Sequence, residues 1–442
     1  MKKLLVHAGL PRQSKKVELL APAGDLDKLK YALAYGADAV YCGVPDFSLR
    51  VRINRFSNDD LKKAVEYVHA RKKKIYVTLN IYAHNQHLEK IKKHIQYLKK
   101  LKVDAIIASD PGIILLIQKY WPDCEMHLST QANATNFAAV EFWKNQGVKR
   151  IILAREVSLA EIKEIKKQTK NIELEYFVHG AMCMSYSGRC ILSKWMTDRS
   201  ANLGDCSQPC RWAYHEACNM KYETRNAETK KVLSMSIVDD QKRYGMDVEE
   251  DKHGTYFFNS YDMNLLSHLA ELREAGVESF KIEGRAKSAY YLAIVTRAYR
   301  KVIDAVETPR RGGASLQKKI ISEQKTELDN LVHRGYSTGF LLGREPEHNF
   351  ENKNNPAKFK FVGEVRGVEK SLNILRVHNH VSIGDKLEAI TPKENIKLKI
   401  KKILDHNKNE VAVADGGHNK EYYFEFDKKL EIGSLVRKII EV

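Results

Sequence analysis

Four of the seven cysteines in this chain fall within 28 residues of one another. They are Cys183, Cys190, Cys206 and Cys210, with gaps of six, fifteen and three residues between them. A long chain with few cysteines, four of them clustered, is more typical of metal binding than of a disulfide framework. Four thiolates suit a [4Fe–4S] cluster, and they suit structural zinc equally well. The spacing therefore predicts one metal or iron–sulfur site and leaves its metal open.

The part of the chain that must position these cysteines alternates short β-branched runs with helical stretches. Apolar residues recur at helix period between the early runs, which indicates parallel crossover units. Eight such strands favour a TIM-like (β/α)8 barrel over a doubly wound sheet, and no Gly-x-Gly-x-x-Gly follows the first strand. The predicted strands are Val17–Leu20, Ala39–Cys42, Lys74–Leu79, Asp104–Ala108, Met126–Ser129, Arg150–Leu153, Glu173–Val178 and Ser279–Ile282.

Polar residues follow most of these predicted strands at the point where each strand ends. The carboxyl ends of the strands of a barrel meet at one rim, where barrel enzymes assemble their active sites. Any one of these residues is explained equally well by a helix cap or a rim hydrogen bond, so the prediction rests on their convergence. They include Asn80, Gln131, Asn133, Arg155, His179 and Arg285.

The domain organisation follows from the same patterns. We predict the barrel over residues 1–308, with a cysteine-rich insertion at about 183–277. Within the insertion, Ala213–Tyr222 and Thr255–Asn259 are predicted to pair as a hairpin, and the polar segment Glu223–Gly254 is predicted to be mobile. Residues 309–356 are predicted to form a helical linker. From 357 to 442 the apolar period changes to two, which predicts a small antiparallel C-terminal β-barrel.

The charge balance points to a polyanionic partner. The 442 residues include 74 Lys and Arg against 56 Asp and Glu, a formal net charge of +18. The electric field of such a net charge attracts phosphates and favours a nucleic-acid partner. A general abundance of lysine on surface helices would give the same net charge. No run is long and apolar enough for a membrane helix, and the start has no long apolar signal region. The sequence therefore predicts a soluble, cytoplasmic protein with no membrane partner.

Several of these segments together resemble a known family. The stretch around the first cysteines resembles the signature of the U32 collagenase-like peptidase family, and the resemblance extends over nearly the whole chain. The matching motifs are Glu175-x-Phe177-x-His179-Gly180-Ala181-Met182-Cys183, Ser187-Gly188-Arg189-Cys190, residues 19–24, 35–41 and 127–133, and Lys281-Ile282-Glu283-Gly284-Arg285.

Within that family, the length and the single C-terminal barrel are similar to the branch of prephenate-dependent tRNA hydroxylases. The resemblance implies hydroxylation of the wobble uridine of tRNA at carbon 5, with prephenate as cosubstrate. It also implies a [4Fe–4S] cluster on the four cysteines and allows a paralogous partner protein.

Candidate site residues follow from that implied chemistry. Prephenate has two carboxylates, and guanidinium groups bind carboxylates through two parallel hydrogen bonds. For any single cation at the rim, a salt bridge with Glu156 or Glu283 is an equally good interpretation. Amides often read base edges, which makes Asn80, Gln131 and Asn133 candidates for substrate binding. His179 is a candidate catalytic residue, with a structural role as its alternative. The candidate cations are Arg50, Arg52, Arg155, Lys281 and Arg285.

Two other functions remain open from the residues. A U32-type peptidase would need a nucleophile or an open metal site, but the chain has no His-Glu-x-x-His zinc motif. His179 and Cys183 could form a Cys–His pair, yet a cysteine that binds a cluster is not available as a nucleophile. The second alternative is a non-catalytic tRNA-binding protein.

Overall fold

The structure is a computed structural model of the 442-residue chain. It describes residues 16–44, 47, 56–182, 192–197, 199, 206–212, 214–218, 221–225, 228–232, 235–239, 245–248, 261–308, 313–343, 358–417 and 420–440.

The predicted TIM-like barrel is confirmed. Eight parallel strands pair in sequence, and the last pairs with both the first and the seventh, so the sheet closes on itself. Three of the strands have the predicted bounds. The strands are β1 (Glu18–Pro22), β2 (Ala39–Cys42), β3 (Lys74–Leu79), β4 (Ala105–Ala108), β5 (Met126–Leu128), β6 (Arg150–Ile152), β7 (Glu173–Ala181) and finally Ser279–Ile282.

Six helices link the first seven strands and cover the outside of the barrel. Side-chain caps start most of them; Ser57 and Asp60 form a reciprocal capping box at the start of the second helix. The third helix buries Ile91, His94, Ile95 and Leu98 against the barrel. The helices are α1 (Leu26–Ala34), α2 (Asn58–His69), α3 (Leu88–Leu101), α4 (Pro111–Tyr120), α5 (Phe137–Asn145) and α6 (Leu159–Gln168).

The insertion after β7 contains short regular elements. Its last strand returns to the barrel sheet, where Asp262 lies opposite Ala181 in an antiparallel pair. The elements are α7 (Leu192–Thr197), β8 (Tyr214–Cys218), β9 (Lys221–Arg225), β10 (Glu228–Val232), β11 (Met235–Asp239), β12 (Gly245–Val248) and β13 (Asp262–Asn264).

Two predictions concern the insertion. Part of the segment Glu223–Gly254, which the sequence predicts to be mobile, forms strands, and β9 and β10 pair as an antiparallel hairpin. Glu223 lies opposite Lys230, and Arg225 lies opposite Glu228. Strand β8 pairs with β11, and its predicted hairpin partner, Thr255–Asn259, lies outside the described residues.

The barrel is completed by α8 (Leu269–Glu274), β14 (Ser279–Ile282) and the long helix α9 (Ala289–Glu307). Helix α10 (Gly313–Asp329) then packs on α9, and the short strand β15 (Tyr336–Ser337) pairs with β13.

The C-terminal region forms the predicted small antiparallel barrel. Its eight-stranded sheet has β20 near one end and β21 near the other. Only Lys399 separates these two strands, so one bent segment belongs to both ends and closes the sheet. The strands are β16 (Phe359–Glu369), β17 (Leu372–Val377), β18 (Val381–Ser382), β19 (Leu387–Ile390), β20 (Asn395–Leu398), β21 (Ile400–Leu404), β22 (Glu410–Val411), β23 (Val413–Ala414), β24 (Glu421–Phe426) and β25 (Leu435–Ile439).

The two barrels meet across a polar, buried junction. The guanidinium of Arg437, only 1% exposed, donates to Glu327 of α10 at 2.5 Å and to Glu388 of β19 at 2.5 Å. The hydroxyl of Tyr31 on α1 donates to Glu364 of β16 at 2.6 Å. Polar and charged groups of the C-terminal barrel therefore gain partners on α1 and α10 at this junction. Among the described helices, none combines the length and the uncharged apolar run that a membrane crossing requires.

Candidate active site at the barrel mouth

Near the amino-terminal ends of its strands, the barrel interior is filled by charged side chains that neutralise one another. Arg150 of β6 donates to Glu18 at 2.5 Å, to Glu173 at 2.8 Å and to Glu175 at 3.2 Å. The hydroxyl of Tyr76 completes the layer by donating to Glu18 at 2.6 Å. This network connects β1, β3, β6 and β7 across the barrel interior. We call this layer of ion pairs and hydrogen bonds the floor of the mouth.

Lys281 of β14 belongs to this floor and lies below the rim. Its register opposite Phe177 and Leu20 places it within the strand, and its ammonium, 3% exposed, donates to Glu175 at 2.7 Å. Burial opposes ionisation of Glu175, but Lys281 and Arg150 outweigh burial and lower the pKa of this carboxyl. A substrate carboxylate would compete with an ionised Glu175 for Lys281, so the proposed anion-binding role of Lys281 stays a prediction.

Two buried arginines lie higher, at the mouth. Arg155 follows β6 and Arg285 follows β14, so they flank β7; they are only 7% and 6% exposed. The guanidinium of Arg155 lies 3.8 Å from the ring centroid of Phe177. Arg285 reaches across the barrel and donates to the hydroxyl of Thr78 on β3 at 3.5 Å. The mouth therefore holds two desolvated cations whose planes are fixed by neighbouring side chains.

The opposite side of the mouth is lined by amides. The side-chain nitrogen of Asn80, after β3, lies 3.4 Å from the hydroxyl of Ser129 and 3.4 Å from the amide oxygen of Gln131. Asn133 ends the 3-10 turn that follows β5, with a φ of 54° that asparagine tolerates well. The structure thus brings Asn80 and Gln131 together and places Asn133 two residues along the same connection.

His179 is remote from this polar set. It points outward between β7 and α9, is fully buried, and is surrounded by the rings of Tyr291, Tyr299 and Tyr336 at 5.4–5.9 Å. Burial lowers the pKa of His179 to about 3. The neutral imidazole therefore packs the barrel against its outer layer, as the structural alternative for His179 supposed.

The described part of the cysteine segment is a hydrogen-bonded turn. Cys206 and Cys210 are half-buried, and the sulfur of Cys206 accepts the backbone N–H of Gln208 at 3.4 Å. An N–H aimed at sulfur stabilises a thiolate ligand of a metal or cluster, so this turn fits one. Cys183 and Cys190 lie outside the described residues, as do Arg50 and Arg52.

The turn is fastened to the helix that follows Cys190. The backbone N–H of Ser207 donates to the hydroxyl of Ser193 at 2.9 Å, and the hydroxyl of Ser207 lies 2.8 Å from that of Thr197. Ser193 is three residues beyond Cys190, and Ser207 follows Cys206 directly. These bonds therefore hold the start of α7 beside the turn that contains Cys206 and Cys210.

The interior network is the part of the site that sequence reasoning missed. Its signal is present, because polar or charged residues at alternate positions of otherwise apolar strands face one side of the sheet. Glu173 and Glu175 in β7 and Ser279 and Lys281 in β14 have this spacing.

Comparison with known proteins defines the class. The model of peptidase family U32 matches residues 24–351, and that of the peptidase family U32 C-terminal domain matches residues 357–437. The chain therefore belongs to peptidase family U32, and its first barrel and its C-terminal barrel correspond to the two parts.

Three relatives indicate the range of this family. The chain is 40% identical to "tRNA hydroxylation protein P" of Haemophilus influenzae, over 96% of this chain and 97% of the relative. It is 33% identical to "23S rRNA 5-hydroxycytidine C2501 synthase" of Escherichia coli, over 90% of this chain and 56% of the relative. It is 28% identical to "Collagenase" of Porphyromonas gingivalis, over 74% of each chain.

Proposed function

We propose that this protein is a tRNA-modifying enzyme that hydroxylates the wobble uridine at carbon 5, with prephenate as cosubstrate and a [4Fe–4S] cluster. The observation that carries the proposal is the 40% identity to a tRNA hydroxylation protein over almost the whole of both chains. The rRNA relative supports the same chemistry, since its name describes a hydroxyl at position 5 of a pyrimidine. The net charge of +18 suits an RNA substrate.

The arginine pair supports prephenate as the cosubstrate. A dicarboxylate needs two cationic partners, and Arg155 and Arg285 approach from the two sides of β7. Their low exposure strengthens each charge-assisted hydrogen bond because little water competes. Phe177 and Thr78 hold the two guanidinium groups in orientation before the substrate arrives.

The amides across the mouth support recognition of a uracil ring. Uracil has an N3–H donor between two carbonyl acceptors, and an amide side chain offers a matching donor and acceptor. Asn80 and Gln131 already lie within 3.4 Å of each other, so one base edge can contact both. A wobble base that enters the mouth would then lie between these amides and the arginines.

The cysteines would hold the cluster beside the mouth. Cys183, Cys190, Cys206 and Cys210 are its proposed ligands, and when bound it supplies an electron relay that ordinary side chains lack. The N–H of Gln208 would stabilise a thiolate on Cys206, and the Ser193–Ser207 contact holds the Cys206 turn against α7.

The test compares cysteine variants in a strain that lacks the gene. We expect Cys206→Ala to lose iron and sulfide after anaerobic purification and to abolish wobble 5-oxyuridine, measured by mass spectrometry of tRNA nucleosides. Cys124→Ala is the matched control, because Cys124 is a buried cysteine outside the quartet. Stoichiometric zinc without iron would contradict the cluster, and unchanged 5-oxyuridine in the deletion strain, with no oxygen-dependent enzyme present, would contradict the reaction.

A peptidase is the second candidate, because a relative named "Collagenase" matches 74% of this chain. Hydrolysis of denatured collagen by Cys206→Ala would favour it. The hydroxylase proposal expects no such hydrolysis from either the parent or the variant. A third outcome, tRNA binding without any change in wobble modification, would indicate a non-catalytic tRNA-binding protein.

A further inference from the structure

The flank of the barrel formed by α2 and α3 concentrates the positive charge of the chain. Residues 58–102 contain twelve lysines and arginines against four aspartates and glutamates. The C-terminal barrel, residues 358–440, contains seventeen against twelve, in nearly twice the length. The α2–α3 flank therefore has a higher density of positive charge than the C-terminal barrel.

Helix α3 arranges part of this charge in a line. Its buried face is Ile91, His94, Ile95 and Leu98, and the exposed Lys90, Lys93 and Lys100 lie along one edge of the opposite face. Their spacing of three and seven residues keeps them aligned over about 15 Å at 1.5 Å per residue. We call these three residues the α3 lysine stripe.

The stripe borders further cationic and aromatic groups. Tyr97, in line with the stripe, donates its hydroxyl to the carbonyl of Asn58 at the start of α2, at 2.7 Å. Helix α2 adds the exposed Lys62 and Lys63. None of the three stripe lysines is ion-paired with a carboxylate in the part of the chain that the structure describes, whereas their neighbour Lys92 pairs with Glu89 at 3.6 Å. The stripe is thus available to phosphates.

The position of the stripe connects it to the mouth. Strand β3 ends at Asn80 in the mouth, and the chain passes through the 3-10 turn at residues 85–87 directly into α3. Because helices of such a barrel run back from the rim, Lys90 and Lys93 lie near the mouth and Lys100 lies further down the flank. Asn80 and the stripe therefore belong to one strand–helix unit.

We propose that the α3 lysine stripe binds phosphates of the RNA strand whose base enters the mouth. The inference rests on the proposed tRNA substrate and adds the path of that RNA: from the mouth down the α2–α3 flank. Phosphate contacts position RNA without reading sequence, so the stripe would serve every tRNA that the enzyme accepts.

Three triple variants, each with three lysines changed to glutamine, test the path. K90Q/K93Q/K100Q removes the stripe; K318Q/K319Q/K325Q removes three exposed lysines of α10; K397Q/K399Q/K401Q removes three exposed lysines of the C-terminal barrel. All three have the same net charge. We expect only the stripe variant to bind a wobble-uridine tRNA at least roughly tenfold more weakly in 0.1 M salt, with a log–log salt slope shallower by about 2–3.

The other outcomes overturn the inference. Equal weakening in all three variants would show that net charge alone drives binding, and weakening confined to the C-terminal variant would place the RNA there. Circular dichroism of each variant checks that the helices are retained. If the parent protein neither binds tRNA nor restores wobble hydroxylation in the deletion strain, the proposed function itself fails. If it does both while the stripe variant behaves like the α10 variant, only the proposed path fails.

Discussion

At the scale of single residues, the mouth separates two kinds of cation. Lys281 is neutralised by Glu175 inside the barrel, at 2.7 Å, while Arg155 and Arg285 lean on Phe177 and Thr78. Arg155 and Arg285 follow the carboxyl ends of β6 and β14, whereas Lys281 lies within its strand. Because an incoming carboxylate reaches the rim first, we expect it to bind the two arginines.

Replacement of Arg285 by lysine keeps the charge but removes the planar fork. We expect Arg285→Lys to raise the prephenate concentration needed for half-maximal hydroxylation by roughly 10- to 100-fold, because a bidentate charged hydrogen bond contributes about 1.5–3 kcal/mol. The measurement is tRNA hydroxylation at varied prephenate. Arg273→Lys on α8, away from the mouth, is the control. Equal half-saturation in the two variants would remove Arg285 from the cosubstrate site.

Two buried histidines give the fold a defined pH dependence. Burial lowers the pKa of His94 to about 4 and that of His179 to about 3, both below the ordinary value of 6.5. Unfolding lets each imidazole take up a proton below pH 6.5, so stability is full above that pH and falls as pH decreases toward these values. Between pH 7.5 and 5.5 each histidine should cost about 1.4 kcal/mol in the free energy of unfolding.

Urea unfolding of the parent, His94→Gln and His179→Gln at pH 7.5 and 5.5 measures this effect. Each variant should show a smaller loss of stability on acidification than the parent, whatever its stability at pH 7.5. An identical pH dependence in all three proteins would show that the histidines are not neutral in the fold.

At the scale of elements, sequence patterns predicted the eight barrel strands because each has four or more residues of buried, β-branched character or a clear following helix. They missed β13, since Asp262–Asn264 is three residues long and gains its pairing from β7. The rim residues were predicted from strand ends, and Asn80 and Gln131 do converge. The depth of Lys281 inside the barrel was not predictable from the sequence. It depends on the register of β14 against Phe177 of β7, and only the closed barrel fixes that register.

The contact between the α7 helix and the Cys206 turn should control retention of the cluster. Ser207→Ala removes the hydroxyl that lies between Ser193 and Thr197, at 2.9 and 2.8 Å. With about 1 kcal/mol lost per hydrogen bond, we expect iron to leave the anaerobically purified variant roughly tenfold faster in the presence of a chelator. Iron and sulfide content over time is the readout. Ser322→Ala, exposed on α10, is the control, and equal loss rates would mean that the contact does not support the cysteine loops.

At the scale of the whole molecule, the two barrels act as one body because their junction buries charge. Glu327 of α10 and Glu388 of β19 share Arg437, which also lies 3.7 Å over the ring of Phe359. Burial opposes the ionised form of Glu327, but Arg437 outweighs it and lowers the pKa of that carboxyl. Separation of the barrels would therefore expose Arg437, Glu327 and Glu388 to water or leave them without their partners.

Loss of Arg437 should uncouple the barrels. Arg437→Met removes the main cation of the half-buried Glu327 and Glu388, a change that we expect to cost up to about 3 kcal/mol because Arg297 stays near Glu327. In calorimetry we expect the variant to melt in two transitions where the parent melts in one. Arg366→Met is the matched control, because the bond from Arg366 to Asp27 spans the same junction but is one-third exposed and contributes under about 1 kcal/mol. A single unshifted transition in Arg437→Met would refute the coupling.

The placement of the insertion between β7 and β14 has a consequence for synthesis of the chain. Strand β7 ends at Ala181 and the closing strand β14 begins at Ser279. At ribosomal rates of about 5–20 residues per second, the intervening segment of about one hundred residues delays closure by roughly 5–20 seconds. During that interval β1 and β7 present unpaired edges, which are templates for aggregation. All four cysteines of the proposed cluster site leave the ribosome before β14, while the first barrel is still open.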